Sequence, residues 1–406
     1  MAANKSLSSK LKFLFSLSLI LLLLLSGCWS RRELKDLAIV SGVGFDQTEH
    51  SEQFRLTIQV FNPSSGKESG GKNGGESGEK GKSQQGKTYV NFSTTGDSPF
   101  LMIRELTHLV GKELYFPHNK VLVFGRQAAE SGVEKFLDIF LRDPGIRLNI
   151  WVLVAEEEAK DLFEADAGLE EIPSSSIDNI LRNQYATSDT ALITLKRFAQ
   201  GLASKATAPI IPKVKVLEEN GRKSVVVANS AVFRGEHLVG ELDRWETRGL
   251  LWVLDEISGG IVKLAYPPGQ KTNLEIMRSK TKVKAKLKDE QVEVEIKIRN
   301  TANLGSQSGN LDLSKKSNIS DLSAELNKEI EREIKAAFKK AVLLEADIFG
   351  FGDMICKNYP KEWKELEDRW MEIFPEIKIK FDIETKIRGT GKIVNSIYPS
   401  MRFRKQ

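Results

Sequence analysis

Cysteine is nearly absent from this 406-residue chain: only Cys28 and Cys356 occur. Two are too few for a zinc site built from four cysteines. Histidine is scarce too, and His50, His108, His118 and His237 are scattered without the spacing of a metal-ligand set. There is no G-x-S-x-G turn and no paired catalytic constellation. "SGVGFD" carries Gly42 and Gly44 but lacks the third glycine and following helix of a dinucleotide fold, so it reads as a strand packed closely at its glycines. "RGTGK", Arg388 to Lys392, lacks the upstream glycine and downstream Ser or Thr of a phosphate loop. The sequence thus gives no reason to expect an enzyme, a cofactor or a metal. A large excess of positive charge is also missing. The net charge is +5, but residues 1–27 hold three lysines and no acid, which leaves about +2 for the remainder and argues against a nucleic-acid partner.

A membrane-spanning run of about 20 apolar residues is absent as well. What is present is an apolar run of roughly 13 residues, Phe13 to Leu25, preceded by Lys5, Lys10 and Lys12 and followed at once by the polar Ser30 to Asp36. This is the layout of a secretory signal peptide. Its end, Leu25-Ser26-Gly27-Cys28, resembles a bacterial lipobox, with an apolar residue three before the cysteine and small residues just before it. The spacing fits the chemistry: the Cys28 thiol takes a diacylglycerol at the bilayer surface, and a signal peptidase then cuts between Gly27 and Cys28, where bulk would obstruct. The freed amine of Cys28 is then open to N-acylation by a fatty acid such as palmitate. Two acyl chains, at ~0.8 kcal/mol per buried methylene, hold a protein far more firmly than one. With Cys28 so occupied, Cys356 has no partner for an intramolecular disulfide, and a zinc site of two cysteines and two histidines is excluded as well.

Along the rest of the chain, "LAIVSGVGFD" and "FRLTIQVF" read as a hairpin of strands. Residues 62–88 contain no aliphatic or aromatic side chain and are dense in Gly, Lys and Glu, which predicts a flexible loop. "TYVNFST" predicts a strand, and "SPFLMIRELTHLV" a helix with Phe100, Ile103, Leu106 and Val110 on one face. "NKVLVFG" is a buried strand. "QAAESGVEKFLDIFLRD" is a helix on Val133, Phe136, Leu137 and Phe140, "IRLNIWVLVA" a strand, and "EEEAKDLF" an acidic helix start suited to the helix dipole. Two polar helices are expected between Leu169 and Ala208. Pro209 and Pro212 then act as breakers, placing the main boundary near Ala206 to Pro212. The second half opens with the strands "KVKVL", "SVVVANSAVF" and "HLVGEL", and continues with the hairpin "KVKAKLK" and "QVEVEIKIR", whose alternation buries one face. The longest helix, about Ser320 to Glu345, lines up Leu322, Leu326, Ile330, Ile334, Phe338 and Val342. A shorter one between Pro360 and Pro375 aligns Trp363, Leu366, Trp370 and Ile373, and "EIKIKFDIETKI" closes as a strand.

The start "GCWSRRELKDLAIVSGVGFD" strongly resembles that of the Ger(x)C family, the C-subunit lipoproteins of nutrient germinant receptors in endospore-forming bacteria. "PHNKVLVFG", "GVEKFLDIFLRDPGIRLNIWVLVA", "NSAVFRGEHLVGELDRWETRGLLW" and "DIFGFGDMICKNYPKEWKELEDRW" look like that family's further blocks, in the same order. Two departures are mild: Ser30 stands where an Asp often follows the Trp, and the Gly-rich insert falls where the family varies in length. The resemblance implies an α+β, multidomain fold with mixed and antiparallel sheets and packed helices. After a cleaved leader, residues 1–27, it implies an N-terminal domain over 28–208 and a C-terminal one over 209–406, the latter open to division into two subdomains. It also implies a non-enzymatic lipoprotein on the outer face of the inner spore membrane, assembled with two integral membrane subunits and triggering germination in response to nutrients. Direct nutrient binding by this chain is left open. A lipid-anchored solute-binding protein of a transporter is the alternative; it calls for two doubly wound lobes around a ligand cleft, against the antiparallel hairpins and segregated helices read here.

Overall fold

The computed structural model describes residues 14–16, 18, 36–50, 52–63, 87–288, 291–308 and 315–389. Thirteen strands form two sheets among these residues. The strands of the larger are β1 (Leu37–Gln47), β2 (Phe54–Phe61), β3 (Tyr89–Gly96), β4 (Glu113–Tyr115), β5 (Val121–Phe124), β6 (Trp151–Ala155), β7 (Ile210–Glu219), β8 (Arg222–Arg234) and β9 (His237–Leu242). The smaller holds β10 (Ile261–Leu264), β11 (Thr272–Lys288), β12 (Gln291–Gln307) and β13 (Lys378–Gly389).

The larger sheet has the order β3-β2-β1-β5-β6-β7-β8-β9, with β4 beside the start of β1. Strands β1, β5, β6 and β7 run parallel, and antiparallel hairpins flank them on both sides. Parallel strands need both faces covered. Accordingly Leu122, Phe124, Val152 and Val154 pack against the helices Pro99–Val110, Glu134–Arg142 and Leu195–Leu202 on one face. Val121, Val123 and Leu153 face the helices Ala159–Glu164 and Pro173–Asn183 on the other. The smaller sheet, β10-β11-β12-β13, buries Val292, Val294, Ile296 and Ile298 of β12 against the long helix Lys316–Leu343. Its stripe of Leu322, Leu326, Ile330 and Ile334 is wholly buried, as the periodicity predicts. β13 returns to pair with β12 in parallel, so both sheets are mixed and the architecture is α+β, not a pair of doubly wound lobes.

The local departures have physical causes. The segment expected as one helix over 127–143 is two, Arg126–Glu130 and Glu134–Arg142, parted at Gly132, whose φ of +105° a helix does not admit. The helix Pro99–Val110 turns Met102 and Leu106 inward and leaves Phe100 exposed, so the inward stripe is rotated from the one expected. Pro212 lies inside β7, where the register shifts between Pro212 and Val214; a bulge tolerates a residue that cannot donate to the ladder. Only Trp151–Ala155 of "IRLNIWVLVA" is strand. The larger sheet also continues unbroken past the expected boundary at 208/209, because β7 pairs with β6 through Val154–Lys213 and Ala155–Val214.

Candidate functional site

The lipobox residues Gly27 and Cys28 lie outside the described residues, as does nearly all of the Gly-rich insert. The described backbone enters the larger sheet at Leu37, where β1 pairs with β2 on one side and with β4 and β5 on the other. The glycines of "SGVGFD" serve packing. A Cβ on Gly42 would stand 2.6 Å from the Phe163 ring, and one on Gly44 would stand 2.9 Å from both Ala159 and Phe163. The four histidines are exposed and lie apart, His108 on a helix, His237 on β9, His50 at a bend and His118 in a turn, and no group of three metal-binding side chains is present among the described residues. His237 places Nδ1 3.0 Å from the Glu130 carbonyl, and the His118 ring sits 5.8 Å from that of Tyr115. Of "RGTGK", Arg388 and Gly389 end β13 and the remainder lies outside the described residues.

The buried charges join elements to one another. Asp46, at the end of β1, accepts from the Ala159 and Lys160 amides at 2.5 and 3.1 Å and so caps the helix Ala159–Glu164 from another strand. Burial pushes its carboxyl up to about 6 in spite of those bonds. Lys213 of β7 holds Glu241 at 2.7 Å and Glu156 at 3.1 Å. Burial pulls its ammonium down, but the two carboxylates outweigh it and the net shift is upward. Lys213 and Glu241 line a cleft of about 330 Å³ together with Arg126, Glu130 and Lys340. Arg126 is in turn paired with Glu130 at 3.0 Å, so Arg126 and Lys213 are both matched within the chain.

Two further knots tie the smaller sheet's helices. Arg248 on the helix Arg244–Val253 binds the Glu333 carboxylate of the long helix, which also accepts from Trp252 Nε1 at 2.9 Å. Burial raises the Glu333 carboxyl, with the arginine acting against it. Asp347, in "DIFGFGD", accepts from the Gly352 amide at 2.7 Å and from Trp370 Nε1 at 3.2 Å, and burial pushes it up to about 6. Such groups fix geometry, and each has its partners in place. The sequence reading missed all of them and also the helix Arg244–Val253. Its signal was there in Asp243-x-x-Glu246, which forms a reciprocal capping box.

A crystal structure, that of the GerBC protein, superposes with a TM-score of 0.55 over 85% of this chain and 96% of that one, at 24% identity, and shares its fold. The family model for the spore germination protein N-terminal domain matches residues 30–216, and the one for the Spore germination B3/GerAC-like C-terminal domain matches 228–391. The chain belongs to the Ger(x)C family. Similar relatives of this Ger(x)C chain include spore germination protein KC of Bacillus subtilis (strain 168), 28% identical, with 94% of this chain and 96% of the relative covered. Spore germination protein B3 of the same organism is 26% identical over 93% and 98%, and spore germination protein A3 is 23% identical over 91% and 95%. The family and these relatives place the chain's role in spore germination. No helix among the described residues is long and apolar enough to cross a membrane.

Proposed function

We propose that this Ger(x)C chain is the lipoprotein subunit of a nutrient germinant receptor. A diacylglycerol thioether on Cys28 holds it at the outer face of the inner spore membrane, and it works there with two integral membrane subunits. The observation that carries this reading is one of order: the lipobox ends at Cys28, and the two family models then follow over 30–216 and 228–391. In this reading the protein acts by assembly. The described polar groups are consistent with that role, because they pair with one another across elements and so hold surfaces in place.

Cys28→Ala tests it in spores. Radiolabelled fatty acid should be incorporated into the native chain and lost from the variant, the variant should leave the membrane fraction, and the response to nutrients should fall. Co-purification of the native chain from detergent should bring two integral membrane proteins with it. Label that persists in the variant sinks the lipid anchor, and a native chain that purifies alone sinks the assembly. Single replacements of His50, His108, His118 or His237 should leave germination near normal; a variant present at full level yet unable to germinate would reveal chemistry at that side chain.

A further inference from the structure

The larger sheet has two ends, and one of them differs in its surface. The parallel strands β1, β4, β5 and β6 all begin at the same end. The helices Pro99–Val110 and Glu134–Arg142, which pack against each other, both finish there, since each leads into the start of a strand, β4 or β6. At this end Leu109 is 60% exposed, Leu141 45% and Leu148 37%. Each leucine has a basic residue close by in sequence: Lys112 lies three residues after Leu109, Arg142 follows Leu141 directly, and Arg147 directly precedes Leu148, all three exposed. Arg142 is offset by Asp138 at 2.6 Å, whereas no carboxylate pairs with Lys112 or Arg147 among the described residues.

β1 starts at this same end, with Leu37 opposite Glu113 in the register. Leu37 is nine residues beyond Cys28. Nine residues reach at most about 30 Å, so a lipid on Cys28 keeps this end of the sheet within that distance of the bilayer. Exposed leucines interleaved with cations are what a bilayer interface accommodates, with the apolar tips at the acyl boundary and the basic groups among anionic headgroups. We infer that Leu109, Leu141 and Leu148, with Lys112 and Arg147 between them, form a surface that rests on anionic lipid, so that the anchored domain sits on the membrane in one orientation. This rests on the proposed tether at Cys28 for its position and extends that reading from attachment to orientation.

The test separates orientation from acylation. The chain from residue 29 onward, with a polyhistidine tag in place of the lipidated Cys28 and with Cys356→Ser, is bound to phosphatidylcholine vesicles containing nickel-chelating lipid, with or without phosphatidylglycerol. An environment-sensitive fluorophore is placed at Leu109→Cys, Leu148→Cys or, toward the far end of the parallel strand β7, the exposed Leu217→Cys. On phosphatidylglycerol vesicles the first two probes should shift to the blue, brighten, and be quenched by a headgroup nitroxide lipid, while the third stays unchanged. The double variant Lys112→Glu/Arg147→Glu should lose the shift and still bind through its tag. Three probes that behave alike would overturn the inference, as would probes at Leu109 and Leu148 that respond only when the integral membrane proteins are present, which assigns the surface to a protein partner. Neither result touches the fatty-acid labelling of Cys28, so the two readings fail separately.

Discussion

Arg248 and Glu333 lie 85 residues apart in sequence and meet as a buried ion pair, with Nε 3.0 and 3.1 Å from the two carboxylate oxygens and a second guanidinium nitrogen on Oε1. The helices carrying them touch backbone to backbone beside this pair, because Gly249 has no side chain: a Cβ there would fall 2.0 Å from the Glu333 carbonyl oxygen. Removing one partner leaves the other charge buried and unpaired, at about 3 to 5 kcal/mol. Glu333→Ala should therefore lower the stability measured by urea unfolding by that order. Gly249→Ala should also destabilise, by about 1 to 3 kcal/mol or more as the helices are forced apart.

Trp370 is 2% exposed, stacks edge-on with Trp363 at 5.3 Å and donates to Asp347. Trp370→Ala removes a buried aromatic at about 3 to 5 kcal/mol. That is a large share of a domain's stability, so spores carrying it should show less of the protein by immunoblot and a weaker nutrient response in proportion. Normal abundance with no response would instead give Trp370 a role beyond packing.

Acidity should act through Asp46 and Asp347. An unfolded aspartate titrates near 3.8, and both of these are pushed up to about 6 by burial. Between those values the native chain holds protons that the unfolded chain has released, so each group's contribution falls as pH rises through the window and then levels off, by up to about 3 kcal/mol per residue. Asp347→Asn does not titrate. Urea unfolding at about pH 4 and pH 8 should show the stability gap between native chain and variant narrowing toward the alkaline side; a gap that widens would mean Asp347 is ionised in the fold throughout.

The insert should be dispensable for folding. β2 and β3 already meet at Phe61 and Tyr89, and the Asn62 amide donates to the Thr88 carbonyl at 2.7 Å, so the ends of the loop are held together by the sheet. Deleting Gly66 to Gly86 shortens a loop whose closure entropy changes only slowly with length. The melting temperature should move by only a few degrees, and a large loss would show that the segment packs.

What could be read in advance follows the range of the interaction. The stripe Leu322, Leu326, Ile330 and Ile334 and the alternation in β12 are local periodicities, and the fold obeys them. The rotation at Phe100 escaped because Met102 and Ile103 offer two overlapping apolar faces, and only the position of the sheet chooses between them. Asp46, Lys213 and Asp347 looked like ordinary polar residues because the groups that satisfy them come from elsewhere in the chain. Glu333 sits among the Lys and Glu residues of the long helix, and nothing local marks it as the one that turns inward. The exposed leucines are equally silent in sequence, since an apolar residue at helical spacing is read as core wherever it falls.

The pairing of β6 with β7 bears on how the gene can be cut. The two family models change over between residues 216 and 228, within the β7–β8 hairpin. A fragment ending at 216 keeps β7 but strips it of β8, leaving a row of unpaired backbone groups open to other chains, and a fragment starting at 228 carries the torn half of that hairpin. Expressed separately, each piece should aggregate; mixed during refolding, they should complement one another. The sheet thus ties the two segments into one folding unit that neither completes alone.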